Sequence, residues 1–287
     1  MKLGVSMYSY VTEVQAGRMD IVSFIHEAKR IGADGVELLD FFYKDVESDR
    51  AAAMSALAKT GLPVGVFSVA QNFAKPTSEE REVHLKKILF GVDEAVKYGA
   101  KVVRVFAGDV PADASFGFEE ARGWIIDGLV AGADYAQSKG IRLALENHGK
   151  LAGRSDQVAG IIADVRARCG HDALGANPDT GNFQLVGQQS HDAIREVASL
   201  AYMVHFKDFA QGEGEGRVYR SLDGTPFIGT VIGEGDVDLD ACVQALRSAG
   251  FDGWVNLEYE GDLPDCKKAV EASLNNARRY LDSVGIA

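Results

Sequence analysis

SMYSYVTEVQAG, residues 6–17, follows the first strand-like run and decides between two folds open to this chain. Around it, apolar strand-like runs recur at intervals of roughly thirty to forty residues. They are LGVSMYS (3–9), DGVELL (34–39), LPVGVFSV (62–69), AKVVRVFAG (100–108), IRLALEN (141–147), ALGANPD (173–179), AYMVHFKD (201–208) and GWVNLEYE (253–260). Between them lie segments of helical period: 21–32, 52–61, 79–99, 121–140 and 239–250. Each closes on a glycine that can take the left-handed position after the last turn. Thr77 and Glu80 have capping-box spacing just after Pro76, and Asp238 or Asp240 can open the seventh helix. Strict strand and helix alternation requires parallel strands joined by right-handed crossovers, and eight such units close a barrel. An open doubly wound sheet would instead carry a glycine-rich phosphate loop after its first strand. Residues 6–17 contain nothing of the kind, so the expected fold is α/β: a (β/α)8 TIM barrel, one domain over residues 1–287.

Composition narrows the partners. The 287 residues are 46% hydrophobic, enough for one large core. The formal net charge of -12 disfavours a nucleic-acid backbone or an anionic membrane surface, both of which need clustered Lys and Arg. Cys169, Cys242 and Cys266 are few, scattered and odd in number, which indicates neither a disulfide framework nor a Cys-x-x-Cys metal site. MKLGVSMYSY enters a strand directly without the apolar stretch of a signal peptide, and no run reaches the roughly 18 apolar residues of a membrane span. A cytoplasmic location is expected.

Four of the last runs end on a metal-ligand type of residue: Glu146, Asp179, His205 and Glu258. Three carboxylates and one imidazole form an oxygen-rich set that suits one manganese, magnesium or cobalt ion better than a tetrahedral structural zinc. Alternate residues of a strand share a face, so Ala144, Glu146 and His148 point one way, as do Asn177 with Asp179, Met203 with His205 and Lys207, and Asn256 with Glu258. A carboxylate on the opposite face would be pressed unpaired against helices, at high cost. Glu260 is a rival to Glu258 but falls past the strand. Asp179, which precedes Thr-Gly-Asn, also has the sequence of an Asx turn.

The order Glu, Asp, His, Glu on strands five to eight, with the phrases ENHG, DTGN, HFKD and GEGDVD before GFDGWVNLEYEG, resembles the sugar phosphate isomerase/epimerase superfamily of xylose-isomerase-like barrels. The resemblance covers essentially the whole chain. It implies a single divalent metal, usually manganese, on Glu146, Asp179, His205 and Glu258. It also implies that Glu146 and Glu258 act as the acid/base pair. The implied activity is isomerisation or epimerisation of a keto-sugar or cyclic keto-polyol by proton transfer through an enediolate. Expulsion of a β-hydroxyl from the same enolate makes an inosose or dehydroshikimate type of dehydratase the alternative. A non-catalytic sugar-binding barrel is the third reading. Members of the superfamily are often dimers or tetramers, so a homo-oligomer is expected. Ketose 3-epimerases commonly carry a histidine where this chain has Asn182, and the trinuclear zinc enzymes of the superfamily need histidines that are absent here.

Around the four, His148 and Lys207 share strand parity with Glu146 and His205, and Arg217 lies in the long glycine-rich connection 207–236. These three are the candidate substrate-binding residues. Glu37 and Arg104 are read as a buried charge pair or as reaching the pocket. Trp124 and Trp254 are read as packing, and Phe67, Asn72 and Phe73 as shaping one pocket wall. The 207–236 connection is a candidate lid.

Overall fold

Eight strands form the barrel in the computed structural model, which describes residues 1–110, 114–214 and 216–283. In chain order the strands are β1 (Lys2–Ser6), β2 (Gly35–Leu39), β3 (Val64–Ser68), β4 (Val102–Val105), β5 (Arg142–Glu146), β6 (Leu174–Asn177), β7 (Met203–Phe206), β8 (Phe209–Gln211), β9 (Val218–Arg220), β10 (Pro226–Gly229) and β11 (Trp254–Leu257). The barrel runs β6-β5-β4-β3-β2-β1-β11-β7, each pair parallel, and its members are the eight runs read from the sequence. Residues 284–287 and Glu215 of the long connection lie outside the described residues.

Closure between β6 and β7 is irregular for a reason visible in the sequence. Pro178 has no N–H to give to a ladder. Only isolated parallel bridges join the two strands, Ala176 to Ala201 and Asp179 to His205. The Pro178 carbonyl accepts the His205 N–H at 3.1 Å, and the Thr180 N–H returns to the His205 carbonyl at 3.0 Å. The break that ends β6 therefore locks Asp179 beside His205.

Among the described residues the helices are α1 (Val11–Gln15), α2 (Ile21–Arg30), α3 (Val46–Thr60), α4 (Ser78–Tyr98), α5 (Phe118–Ser138), α6 (Ser155–Cys169), α7 (Ser190–Val197), α8 (Leu239–Ser248) and α9 (Cys266–Ser283). The capping box of Thr77 and Glu80 opens α4. Asp238, not Asp240, caps α8 through the Ala241 N–H at 3.0 Å. None of these helices is long and apolar enough to cross a membrane.

The apolar core has two parts. The larger lies between strands and helices. The smaller fills the N-terminal end of the barrel interior with Val66, Val102, Ala144 and Met203, against which Tyr202 and Trp254 pack. Trp254 acts as a plug. A Cβ on Gly35 or Gly65 would lie 2.5 Å from its ring, so glycine is required at both positions. Toward the C-terminal strand ends the interior turns polar, from Ser6 on β1 and Glu37 on β2 to His205 on β7 and Asn256 on β11, all fully buried.

One expectation, for the pocket wall after β3, is corrected. Phe67 points outward and stacks on Tyr98 of α4 at 6.2 Å, while Phe73 fills the space over Gly128 of α5; the cavity takes Ala70 from that loop instead. The 207–236 connection is not structureless: β8, β10 and β9 make a small antiparallel sheet. Its return limb is anchored by Asp208, buried to 1% exposure, whose carboxylate accepts the N–H groups of Gly233 (2.8 Å), Gly235 (3.0 Å) and Val237 (3.2 Å). This explains why HFKD and GEGDVD occur together. Asp208→Ala leaves those donors without an acceptor, and the expected loss is about 3 kcal/mol. Thermal denaturation should then show a midpoint lowered by roughly 6–12 °C.

Candidate metal centre

The site is built at the C-terminal mouth of the barrel. Glu146 is the last residue of β5, Asp179 follows the Pro178 break, His205 lies within β7, and Glu258 directly follows β11. One ligand atom from each lies within 4.8 Å of all the others, and the four side chains are at most 5% exposed. Such a concentration of buried carboxylates is costly unless a cation sits among them.

The imidazole shows which atom faces that cation. His205 Nε2 lies 2.9 and 3.1 Å from the two oxygens of Glu37, across the barrel on β2. A carboxylate only accepts, so Nε2 carries the proton and donates it. This leaves Nδ1 facing Glu146 at 3.2 Å, Glu258 at 3.6 Å and Asp179 at 3.8 Å. Neither Nδ1 nor Asp179 Oδ2 makes an aligned hydrogen bond, although the Lys207 ammonium lies 3.0 Å from Oδ2. Two buried ligand atoms that make no aligned hydrogen bond, with a carboxylate holding the far side of the imidazole, form the arrangement expected around a metal. The residues fit a divalent ion.

The supports of each carboxylate follow from local sequence. Asp179 Oδ1 accepts the Gly181 and Asn182 N–H groups, both at 2.9 Å, so the Asx turn and the ligand role use different oxygens of one residue. Glu146 accepts the side-chain amides of Asn177 and Asn182, both at 3.2 Å, and lies 3.2 Å from Arg104 Nε. Glu37 and Arg104 therefore both reach the site, through His205 and Glu146 respectively.

Electrostatics separates the four without a metal. Burial raises the Glu146 carboxyl, but His205 and then Arg104 outweigh it and hold it below the usual carboxylate range. Burial pushes Asp179 up to about 7, opposed by Lys207 and aided by Glu146 and Glu258. Burial also leaves Glu258 raised, against the pull of His205 and Lys207. Burial lowers His205, yet Glu258, Glu37 and Glu146 hold it well above the usual imidazole value. A metal held at Nδ1 would thus replace a proton, and its affinity would fall as pH falls.

The candidate substrate residues surround this group. Lys207, 2% exposed, places Nζ 3.0 Å from Asp179, 2.7 Å from Glu258 and 2.6 Å from Glu260. Arg217, from β9's approach, lies 3.0 Å from the Tyr219 hydroxyl. His148 is exposed and packs on Phe106 at 4.6 Å. All three line a cavity of about 360 Å³ with Glu146, Glu258 and Glu260, walled by Tyr8, Phe41, Phe106 and Tyr219. Glu260 stands outside the four ligands, on Lys207. Tyr8 and Tyr219 were not singled out from the sequence: Tyr8 follows β1 in a short turn, and Tyr219 lies in a connection without strand period.

A second group, Asp134, Cys169 and His171, also brings ligand atoms within 4.8 Å. Here the His171 nitrogens are both engaged, Nδ1 by the Ala173 N–H at 3.3 Å and Nε2 by Asp134 at 3.0 Å. Burial and Asp134 push the Cys169 thiol up to about 11, away from the thiolate a metal needs.

With this geometry in view, the family model described as xylose isomerase-like TIM barrel matches residues 25–283. The chain belongs to that family. The inosose dehydratase of Lacticaseibacillus casei is 26% identical over 163 residues, 54% of this chain and 52% of its own length. The chain thus spans about half the length of the curated relatives it matches. Two solved structures share the fold along nearly all of both chains. The 3-keto-D-glucoside 4-epimerase of E. coli has a TM-score of 0.75 at 19% identity, covering 97% of this chain and 99% of its own. The IOLI protein with a bound zinc atom has a TM-score of 0.74 at 17% identity, covering 99% and 98%. In a xylose isomerase-like TIM barrel the chemistry sits at the C-terminal strand ends, and that is where Glu146, Asp179, His205 and Glu258 converge.

Proposed function

We propose that this protein is a divalent-metal-dependent isomerase or epimerase that moves a proton next to the carbonyl of a keto-sugar or cyclic keto-polyol. One observation carries the reading: ligand atoms of Glu146, Asp179, His205 and Glu258 meet within 4.8 Å of one another, beside a cavity that Glu146 and Glu258 line. Manganese is the preferred ion for this donor set, with magnesium and cobalt next. When bound, such an ion supplies Lewis-acid polarisation of a substrate carbonyl.

The chain's own residues do the rest. Glu146 and Glu258 are the carboxylates placed to take the proton from the neighbouring carbon and to return one. Return to the other face inverts that carbon, and return to the other carbon isomerises the sugar. Lys207 and Arg217 offer N–H donors to substrate oxygens, and His148 offers a ring nitrogen at the rim. Tyr8, Phe41, Phe106 and Tyr219 give the cavity apolar walls that exclude water around a single sugar ring. The relatives support the substrate class: one is an inosose dehydratase and one fold neighbour a 3-keto-D-glucoside 4-epimerase.

The dehydratase reading keeps one specific observation. The resemblance puts a histidine of ketose 3-epimerases at the position of Asn182, whose amide here donates to Glu146 Oε1 and to the Asn147 carbonyl. Proton NMR in heavy water, with manganese-loaded protein, a metal-stripped control and a panel of keto-sugars, 3-keto-glucosides and inososes, separates the readings. The isomerase or epimerase reading predicts metal-dependent deuterium uptake beside the carbonyl and a new sugar. Enone signals in place of a new sugar would establish the dehydratase, and no exchange with any member would favour a non-catalytic barrel.

A further inference from the structure

Lys207 carries a charge of the same sign as the metal and places it against two of the four ligand carboxylates. Its ammonium lies 3.0 Å from Asp179 Oδ2 and 2.7 Å from Glu258 Oε2, oxygens of two residues that would hold the ion. A dication and an ammonium sharing those carboxylates repel each other across a short, buried distance. The aligned hydrogen bonds of Nζ, however, go elsewhere: to Glu260 Oε1 at 2.6 Å and Asn182 Oδ1 at 3.4 Å. Glu260 is itself held, because its other oxygen accepts the Tyr219 hydroxyl, and Tyr219 belongs to the small β8-β10-β9 sheet. Arg217 lies 3.8 Å from the same oxygen.

We propose that Lys207 is a built-in competitor of the metal and that Glu260, clamped by Tyr219, is the positioning residue that shares the ammonium with Asp179 and Glu258 and so limits its hold on them. This rests on the reading that the four residues hold a divalent ion. Glu260 sets how strongly they bind it without touching it, and the Tyr219 clamp couples the 207–236 excursion to metal affinity. Glu260 is suited to this role because it falls beyond β11, with its carboxylate already engaged by Lys207 and Tyr219.

Isothermal titration of manganese(II) into the chelator-stripped full chain tests it, with Glu260→Asp, Lys207→Gln and the double variant. Aspartate keeps the negative charge near its place but shortens the reach to Nζ, so a pure field effect and a positioning effect give different answers. Glu260→Asp should weaken manganese binding by about tenfold, the scale of supporting-residue losses at metal sites. Lys207→Gln should tighten binding by a similar factor, and in its presence Glu260→Asp should change affinity by less than about threefold. Melting of the metal-free variants controls for folding. Glu260→Asp binding like the wild type, or losing equally with and without Lys207, would overturn the inference while leaving the metal centre standing. No saturable binding by the wild type would overturn both.

Discussion

Glu146→Gln should reduce kcat/KM for proton exchange by at least about a thousandfold, because it removes both a metal ligand and one of two acid/base carboxylates. The shape of the side chain is preserved, so folding should survive. Glu146 accepts amide N–H bonds on both oxygens, from Asn182 on Oε1 and Asn177 on Oε2. Glutamine offers one acceptor and one NH2, which leaves one of those donors facing another. The expected structural cost is about 1–3 kcal/mol, small beside the kinetic effect. Steady-state assay with the substrate found by NMR, alongside a melting curve, checks both halves. Full activity in this variant would remove Glu146 from the chemistry and leave the metal with a structural role at most.

Metal removal should have the second large effect, on stability. Glu37, Glu146, Asp179 and Glu258 are buried in one region beside the half-buried Glu260, with His205, Lys207 and Arg104 as the nearest cations. An ion that binds only the folded state at about a thousand times its dissociation constant stabilises by roughly 4 kcal/mol. For a chain of this size that corresponds to a melting midpoint raised by on the order of 10 °C. Chelation should abolish the rise, and so should His205→Ala or Asp179→Asn, each of which takes a ligand atom out of the centre. A metal-dependent rise of the same size in Asp179→Asn would place the ion elsewhere. Acid should weaken the effect in the wild type, since the proton on His205 Nδ1 and the metal exclude each other.

The barrel was legible because parallel strands buried on both faces read as short apolar runs, and the crossover helices carry their own stop signals in glycine. The ligand set was legible for a related reason: strand parity places Glu146, Asp179, His205 and Glu258 on the inner face, and the barrel brings strand ends together. What parity could not give is partnership across the barrel. Glu37 and His205 are separated by 168 residues, and only the closed geometry makes the first a holder of the second's Nε2. The reading of Phe67 as a pocket wall failed at β3, where the pairing with β2 shifts register between Val36 and Glu37. Phe67 lies just past that irregularity, facing α4 rather than the cavity. The β8-β10-β9 sheet was hidden because its strands are only three or four residues long and lie within a glycine-rich connection. Tyr219 and the Glu260 clamp were hidden with it.

Anomalous diffraction from crystals grown with manganese tests the central claim most directly. One strong peak should appear between Glu146, Asp179, His205 and Glu258, with His205 bound through Nδ1 and its Nε2 still donating to Glu37. A peak bound by Glu260 in place of Glu258, a contact to Nε2, or no peak at this position would contradict the account.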